Sequence, residues 1–143
     1  MRQESIFPGQ PWLDTNGNAI QAHGGAVYYE DGVYYWYGED KEYTDGASDV
    51  WTWGIKVYSS RDLCNWQDDG YLVEPDVDDP ASPLHPSKRV DRPHILRSAN
   101  GTLCAVAEAV RERRLLCRTV IGAFAGSLSD GKSLSAAGGR RGG

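Results

Sequence analysis

Apolar and polar positions alternate along much of the first 75 residues, and this alternation predicts short β-strands. The clearest case is residues 26–39, AVYYEDGVYYWYGE, in which two aromatic-rich runs flank Asp31-Gly32. Asp-Gly between β-type runs predicts a hairpin, because glycine readily adopts the positive φ that a tight turn needs. In the second run Tyr35 and Tyr37 fall on one face of the strand and Trp36 on the other. Both faces are therefore apolar, and we expect packed layers on both sides.

Two more strands are predicted after this hairpin, over residues 53–59 and 66–73. Four antiparallel strands within about fifty residues correspond to one blade of a β-propeller. Residues 74–90 contain four of the seven prolines, which favours a long structured loop. Residues 91–97 and the chain from Gly101 onward predict another hairpin, turned by Asn100-Gly101, that would open a second blade.

The composition changes near residue 102. Residues 1–101 carry 8 Lys and Arg against 17 Asp and Glu, whereas residues 102–143 carry 7 against 3. All five Trp and all eight Tyr precede residue 102. We therefore divide the chain into residues 1–101, which form the propeller part, and residues 102–143, an aberrant or disordered Ala/Gly/Arg-rich tail. A frameshift or mis-predicted exon would explain this tail, and a genuine divergent tail is the alternative. Residues 103–118 could form a helix, although Arg113 and Arg114 interrupt its apolar face.

The totals exclude several classes of partner. A net charge of −5 gives no reason to expect a nucleic acid or an anionic membrane. No apolar run is long enough for a transmembrane helix. Three cysteines without C-x-x-C spacing predict buried free thiols, with no disulfide framework, metal site or cofactor. The N-terminus, MRQESIFPGQPW, lacks the apolar core of a secretory signal, so either the protein stays inside the cell or its natural start is missing.

Three stretches resemble glycoside hydrolase family 43: AHGGAVYYEDGVYYWYGE at 22–39, YSSRDLCNW at 58–66 and VDRPHIL at 90–96. The likeness is greatest to the branch that contains galactan exo-1,3-β-galactosidases, and it covers roughly the first hundred residues. The resemblance implies an all-β, five-bladed β-propeller, represented here by about one and a half blades. It also implies a β-linked, galactan-like polysaccharide or oligosaccharide as substrate. Members of the family are often secreted, so the location of this protein stays open.

The resemblance assigns roles to four residues. Asp91 matches the carboxylate that tunes the pKa of the catalytic acid, and Arg92 matches a neighbouring sugar-binding arginine. The alternative for this pair is a structural ion pair. Glu39 matches a carboxylate that binds the terminal sugar, with an exposed loop charge as its alternative. His23 either contacts sugar or has a structural role in its Gly-rich segment.

The two catalytic carboxylates themselves are not identifiable. Many members of the family have a catalytic base Asp before the first hairpin. Here residues 21–25, QAHGG, occupy that position, and Asp14 lies too far upstream to replace it. Glu108 and Glu112 lie in the predicted tail without the motif of the family's general acid. We therefore expect a truncated, catalytically incomplete member of an inverting glycosidase family. The alternatives are a non-catalytic carbohydrate-binding fragment and, less directly, a β-rich interaction module. In such a fragment the exposed apolar faces of the blades would favour self-association.

Overall fold

The computed structural model describes residues 2–109 and 114–119, which form two antiparallel sheets and contain no helix. The first sheet has four strands in chain order: β1 (His23–Glu30), β2 (Val33–Glu39), β3 (Ile55–Ser60) and β4 (Gln67–Val73). The second has three: β5 (Val90–Arg97), β6 (Leu103–Ala109) and β7 (Arg114–Thr119). The predicted all-β class is confirmed, as are the four strands between residues 24 and 73.

The β1–β2 hairpin turns where the sequence predicts. Asp31 and Gly32 have φ values of 50° and 81°, and positive φ at both central residues is the mark of a type I′ turn. However, β1 begins earlier than expected, at His23, so the Gly-rich segment is part of a strand. The pairing shifts between His23 and Ala26, which marks a β-bulge. At Gly25 a Cβ would lie 1.7 Å from the carbonyl oxygen of Tyr37, so only glycine fits there.

The aromatic side chains of β2 alternate between two environments, as predicted. Tyr35 and Tyr37 are buried in the core between the sheets. On the other face, the Trp36 ring packs edge-on against Trp12 and Trp66, with centroids 4.8 and 5.3 Å away. The core contains residues of both sheets and of the long loop: Tyr35, Tyr37, Ile55, Val57, Leu72, Val73, Leu84, Val90, Leu103, Ala105 and Ala107.

Polar contacts join the two sheets at the edges of this core. The backbone N–H of Ile95 on β5 donates a hydrogen bond of 3.0 Å to the Tyr37 hydroxyl on β2. Farther along β5, the Arg97 guanidinium donates to the Tyr28 hydroxyl at 2.7 Å and forms an ion pair with Glu30. These contacts place the second half of β5 beside β1 and β2.

The helix considered for residues 103–118 is wrong, because β6 and β7 lie there and extend the second sheet. Leu103, Ala105 and Ala107 are buried at every second position, so a period of two governs this stretch. The hairpin expected from Gly101 onward is confirmed. The division of the chain at residue 102 remains a prediction, and residues 120–143 lie outside the described residues.

Two apolar side chains on one face of β1 are largely exposed: Val27 is 50% and Tyr29 58% exposed. Cys64 and Cys104 are free thiols and are half-buried, not buried as expected. The Cys117 side chain lies outside the described residues. Within residues 2–109 and 114–119 no helix is long and apolar enough to cross a membrane.

Candidate functional site

Glu39 is the last residue of β2 and lies where the two sheets meet. Its side chain is buried, with the residue 4% exposed, so the alternative of an exposed loop charge is wrong. The Lys41 ammonium lies 2.5 Å from its carboxylate, and the Thr52 hydroxyl donates to it at 3.4 Å. Burial raises the pKa of Glu39, a hydrogen bond from Lys41 lowers it, and a hydrogen bond with Asp91 raises it. Desolvation dominates, so the pKa stays above its ordinary value.

Asp91 enters the same place from the second sheet, as the second residue of β5. It is half-buried, and its carboxyl group lies near that of Glu39, since both reach the space beside Gly24. The structure therefore brings together two of the four predicted residues as a carboxyl pair.

Gly24 makes room for this pair. It lies at the β1 bulge with φ +57°, and a Cβ there would be 2.9 Å from Glu39 Oε1 and 3.6 Å from Asp91 Oδ1. A larger residue would thus be strained in its backbone and would press on the Glu39 carboxylate. The glycine lets β1 approach both carboxyl groups at once.

Arg92 follows Asp91 at an irregular position of β5. Its φ is 50°, rare for a residue with a side chain, and the pairing of β5 with β6 shifts between Asp91 and His94. No ion pair joins Arg92 to Asp91 in the described part of the chain, so that alternative is not realised. The side chain is exposed, and its guanidinium is available to a ligand. Strained backbone of this kind is common at binding sites.

His23 is the cross-strand partner of Glu39 at the same end of the first sheet. Its Nε2 lies 3.1 Å from Gln21 Oε1, which also accepts the backbone N–H of Lys41 at 3.3 Å. The imidazole is exposed. His23 therefore lies at the rim of the site and is tied to the segment that carries Lys41.

The sequence reasoning missed Lys41, Thr52 and Asp40. Lys41 and Thr52 lie between β2 and β3, and only their contacts with Glu39 distinguish them. Asp40 is fully buried, where it accepts the Tyr71 hydroxyl at 2.7 Å and the Glu42 backbone N–H at 2.9 Å. Burial and the hydrogen bond to Asp40 raise the pKa of Tyr71. Asp40 thus anchors the chain directly after Glu39.

The arrangement suits a neutral polar ligand better than a metal. Among the described residues no three His, Cys, Asp or Glu side chains converge as metal ligands do. Buried carboxyl groups beside an exposed guanidinium can bind several hydroxyls of one molecule at once. Glu108 is the cross-strand neighbour of Asp91 on β6 and is exposed, and Glu112 lies outside the described residues.

Solved structures similar to this chain are β-1,3-galactosidases and galactanases. A family 43 β-1,3-galactosidase with galactodeoxynojirimycin is 26% identical with a TM-score of 0.65, covering 80% of this chain and 34% of its own. An exo-β-1,3-galactanase from Phanerochaete chrysosporium with β-1,3-galactotriose is 26% identical with a TM-score of 0.64, covering 80% and 26%. An exo-β-1,3-galactanase from Clostridium thermocellum is 25% identical with a TM-score of 0.63, covering 92% and 26%. No family model and no curated protein matches the chain.

These similarities confirm the resemblance to glycoside hydrolase family 43 and to its β-1,3-galactosidase branch. The chain has the fold of part of such an enzyme, with one complete four-stranded blade and part of a second. It spans about a third of the length of the first of these structures and about a quarter of the other two.

Proposed function

We propose that this chain carries the terminal-sugar-binding part of a family 43 glycoside hydrolase that acts on β-1,3-linked galactan. In this proposal Glu39 and Arg92 bind sugar hydroxyls, His23 contacts the sugar at the rim, and Asp91 holds and tunes the reacting groups. The observation that carries it is the close approach of the Glu39 and Asp91 carboxyl groups beside Gly24, which brings together residues 52 positions apart and from two sheets. The similar structures were solved with galactodeoxynojirimycin and with β-1,3-galactotriose, which supports a galactose-type ligand.

The same closeness argues against these two residues as the catalytic acid and base. A Cβ on Gly24 would lie 2.9 Å from Glu39 Oε1 and 3.6 Å from Asp91 Oδ1, so these two oxygens are at most about 6.5 Å apart. Inversion needs carboxyl groups roughly 6.5–9.5 Å apart, which leaves room for the attacking water. Glu39 and Asp91 are therefore assigned to binding and positioning, and the acid and base must come from other parts of a complete propeller. This supports the alternative that the chain alone binds sugar without hydrolysing it.

Binding of galactose to the whole chain tests the proposal. We expect saturable binding by titration calorimetry, and about a tenfold or greater loss in Glu39→Gln, because a charged acceptor is lost. Glu42→Gln, an exposed acid three positions away, is the matched control and should bind as the parent does. We also expect no release of galactose from β-1,3-galactan. Absence of galactose binding, or equal affinity in parent and Glu39→Gln, would refute the assignment.

A further inference from the structure

Arg89 and Trp51 form an exposed stack beside the carboxyl pair. The Arg89 guanidinium carbon lies 3.7 Å from the centroid of the Trp51 ring, well inside the distance at which a cation and an aromatic face attract each other. Trp51 is 39% exposed, and Arg89 is exposed as well. In the part of the chain that the structure describes, the Arg89 guanidinium lies over the Trp51 ring and has no hydrogen-bond or ion-pair partner.

The backbone on the Trp51 side is firmly held. The Trp51 N–H donates to the Pro86 carbonyl at 2.8 Å, and its carbonyl accepts the Lys41 ammonium at 2.6 Å and the Thr44 hydroxyl at 3.2 Å. These bonds fix the backbone that presents the Trp51 ring, on which the guanidinium rests. Groups fixed before binding lose little conformational entropy when a ligand arrives.

Each residue of the stack is connected to the carboxyl pair through one neighbouring residue, Thr52 next to Trp51 and Val90 next to Arg89. Thr52, which follows Trp51, contacts both Glu39 and the Val90 carbonyl, each at 3.4 Å. Val90 in turn separates Arg89 from Asp91. Arg89 is exposed, Val90 is buried and Asp91 is half-buried, so Arg89 and Asp91 lie on the same side of the chain; two residues of extended chain span about 7 Å. That separation is of the order of one sugar unit in an oligosaccharide.

We propose that the Arg89–Trp51 stack binds the second sugar unit of a β-linked galacto-oligosaccharide, next to the unit bound by Glu39. The planar fork of the guanidinium presents several N–H donors to neighbouring hydroxyls, and the aromatic surface packs against the C–H face of the sugar. Lys would not replace Arg89, because an ammonium has neither the fork nor the flat surface. This inference rests on the proposed function.

The experiment compares galactose with β-1,3-galactotriose in titrations of the whole chain. We expect Arg89→Gln and Arg89→Lys to weaken galactotriose binding about five- to thirtyfold, the range of one or two lost contacts, and to leave galactose binding unchanged. Trp51→Ala should act in the same way. Tyr43→Ala is the matched control, since it removes a half-exposed ring of the same loop that stacks on Trp53 and not on Arg89.

The outcomes separate the two proposals. If Glu39→Gln weakens both ligands but the Arg89 variants bind galactotriose as the parent does, the stack is not a sugar site and the proposed function stands. Equal loss for both ligands in the Arg89 variants would also overturn the inference, because it would indicate a general effect on the site. If the parent binds neither ligand, both proposals fail. Arg89 is exposed, so its variants should fold even if Trp51→Ala does not; near-ultraviolet circular dichroism checks this.

Discussion

Replacement of Gly24 by alanine tests how tightly β1 approaches the carboxyl pair. At φ +57° an alanine is strained by about 1–2 kcal/mol relative to its normal conformations. In addition, its methyl group would lie 2.9 Å from Glu39 Oε1. The carboxylate has little room to retreat, since Lys41 and Thr52 hold its other oxygen. Loss of a hydrogen bond to a charged group adds roughly 1.5–3 kcal/mol.

Gly46→Ala is the matched control for backbone strain. Its φ is +76°, and a Cβ there would meet nothing within 4 Å. We therefore expect Gly46→Ala to lower the free energy of unfolding by about 1–2 kcal/mol and Gly24→Ala by about 3–5 kcal/mol. Urea unfolding followed by tryptophan fluorescence measures both. In a Glu39→Ala background the extra loss at Gly24 should disappear, because the opposing oxygen is gone.

Two results would refute this reasoning. The first is an equal loss of stability in the two glycine variants, which would mean that only backbone strain matters. The second is a Gly24→Ala effect that is unchanged in the Glu39→Ala background. Either would show that the carboxylate moves aside freely, and the close approach would then be no constraint on the site.

Further expectations follow from the same contacts. Tyr37→Phe should lower the free energy of unfolding by about 1–3 kcal/mol, because it leaves a β5 backbone N–H without its acceptor; the exposed Tyr29→Phe should change it little in the same urea assay. Burial raises the pKa of Glu39, so its folded form holds a proton more tightly than its unfolded form. The stability that this group contributes is therefore present below its ordinary pKa of 4.5 and is lost as the pH rises through its higher pKa in the folded state. Glu39→Gln should flatten that part of the curve of unfolding free energy against pH. Tyr71→Phe should lower the melting temperature, since buried Asp40 loses a donor. The chain should associate as its concentration rises in sedimentation runs, and Tyr29→Ser should weaken this association if the exposed face of β1 is responsible.

The strands could be predicted because their signals are local. Asp31-Gly32 fixes the first turn, and alternation assigns Tyr37 to one face and Trp36 to the other. The bulge at Gly24 could not be predicted, because it is explained by carboxyl groups that come from elsewhere in the chain. The extent of the second sheet was also missed: alanines and a leucine alternate in β6, and small side chains give a weak periodic signal.

For the site, the resemblance pointed to Glu39 and Asp91, and the structure places their carboxyl groups close together beside Gly24. Their environment was not readable from the sequence. Burial of Glu39, its pairing with Lys41 and its bond to Thr52 all depend on how the loop before β3 folds back over the end of β2. Stretches rich in Asp, Gly and Ser carry no periodic pattern, so their course is set by contacts distant in sequence.

The hydrogen bond from Ile95 to the Tyr37 hydroxyl has a consequence for how the sheets are aligned. Apolar faces attract each other without direction, so two such layers could slide along one another at little cost. The directional bond from Ile95 favours one offset and penalises the others, together with the contacts of Arg97 with Tyr28 and Glu30. Asp91 lies four residues from Ile95 along β5, a distance of about 13 Å in an extended strand. The Tyr37 hydroxyl thus helps to set the position of Glu39 relative to Asp91 from a distance. Its removal would let these two carboxyl groups shift relative to each other, although neither residue is itself changed.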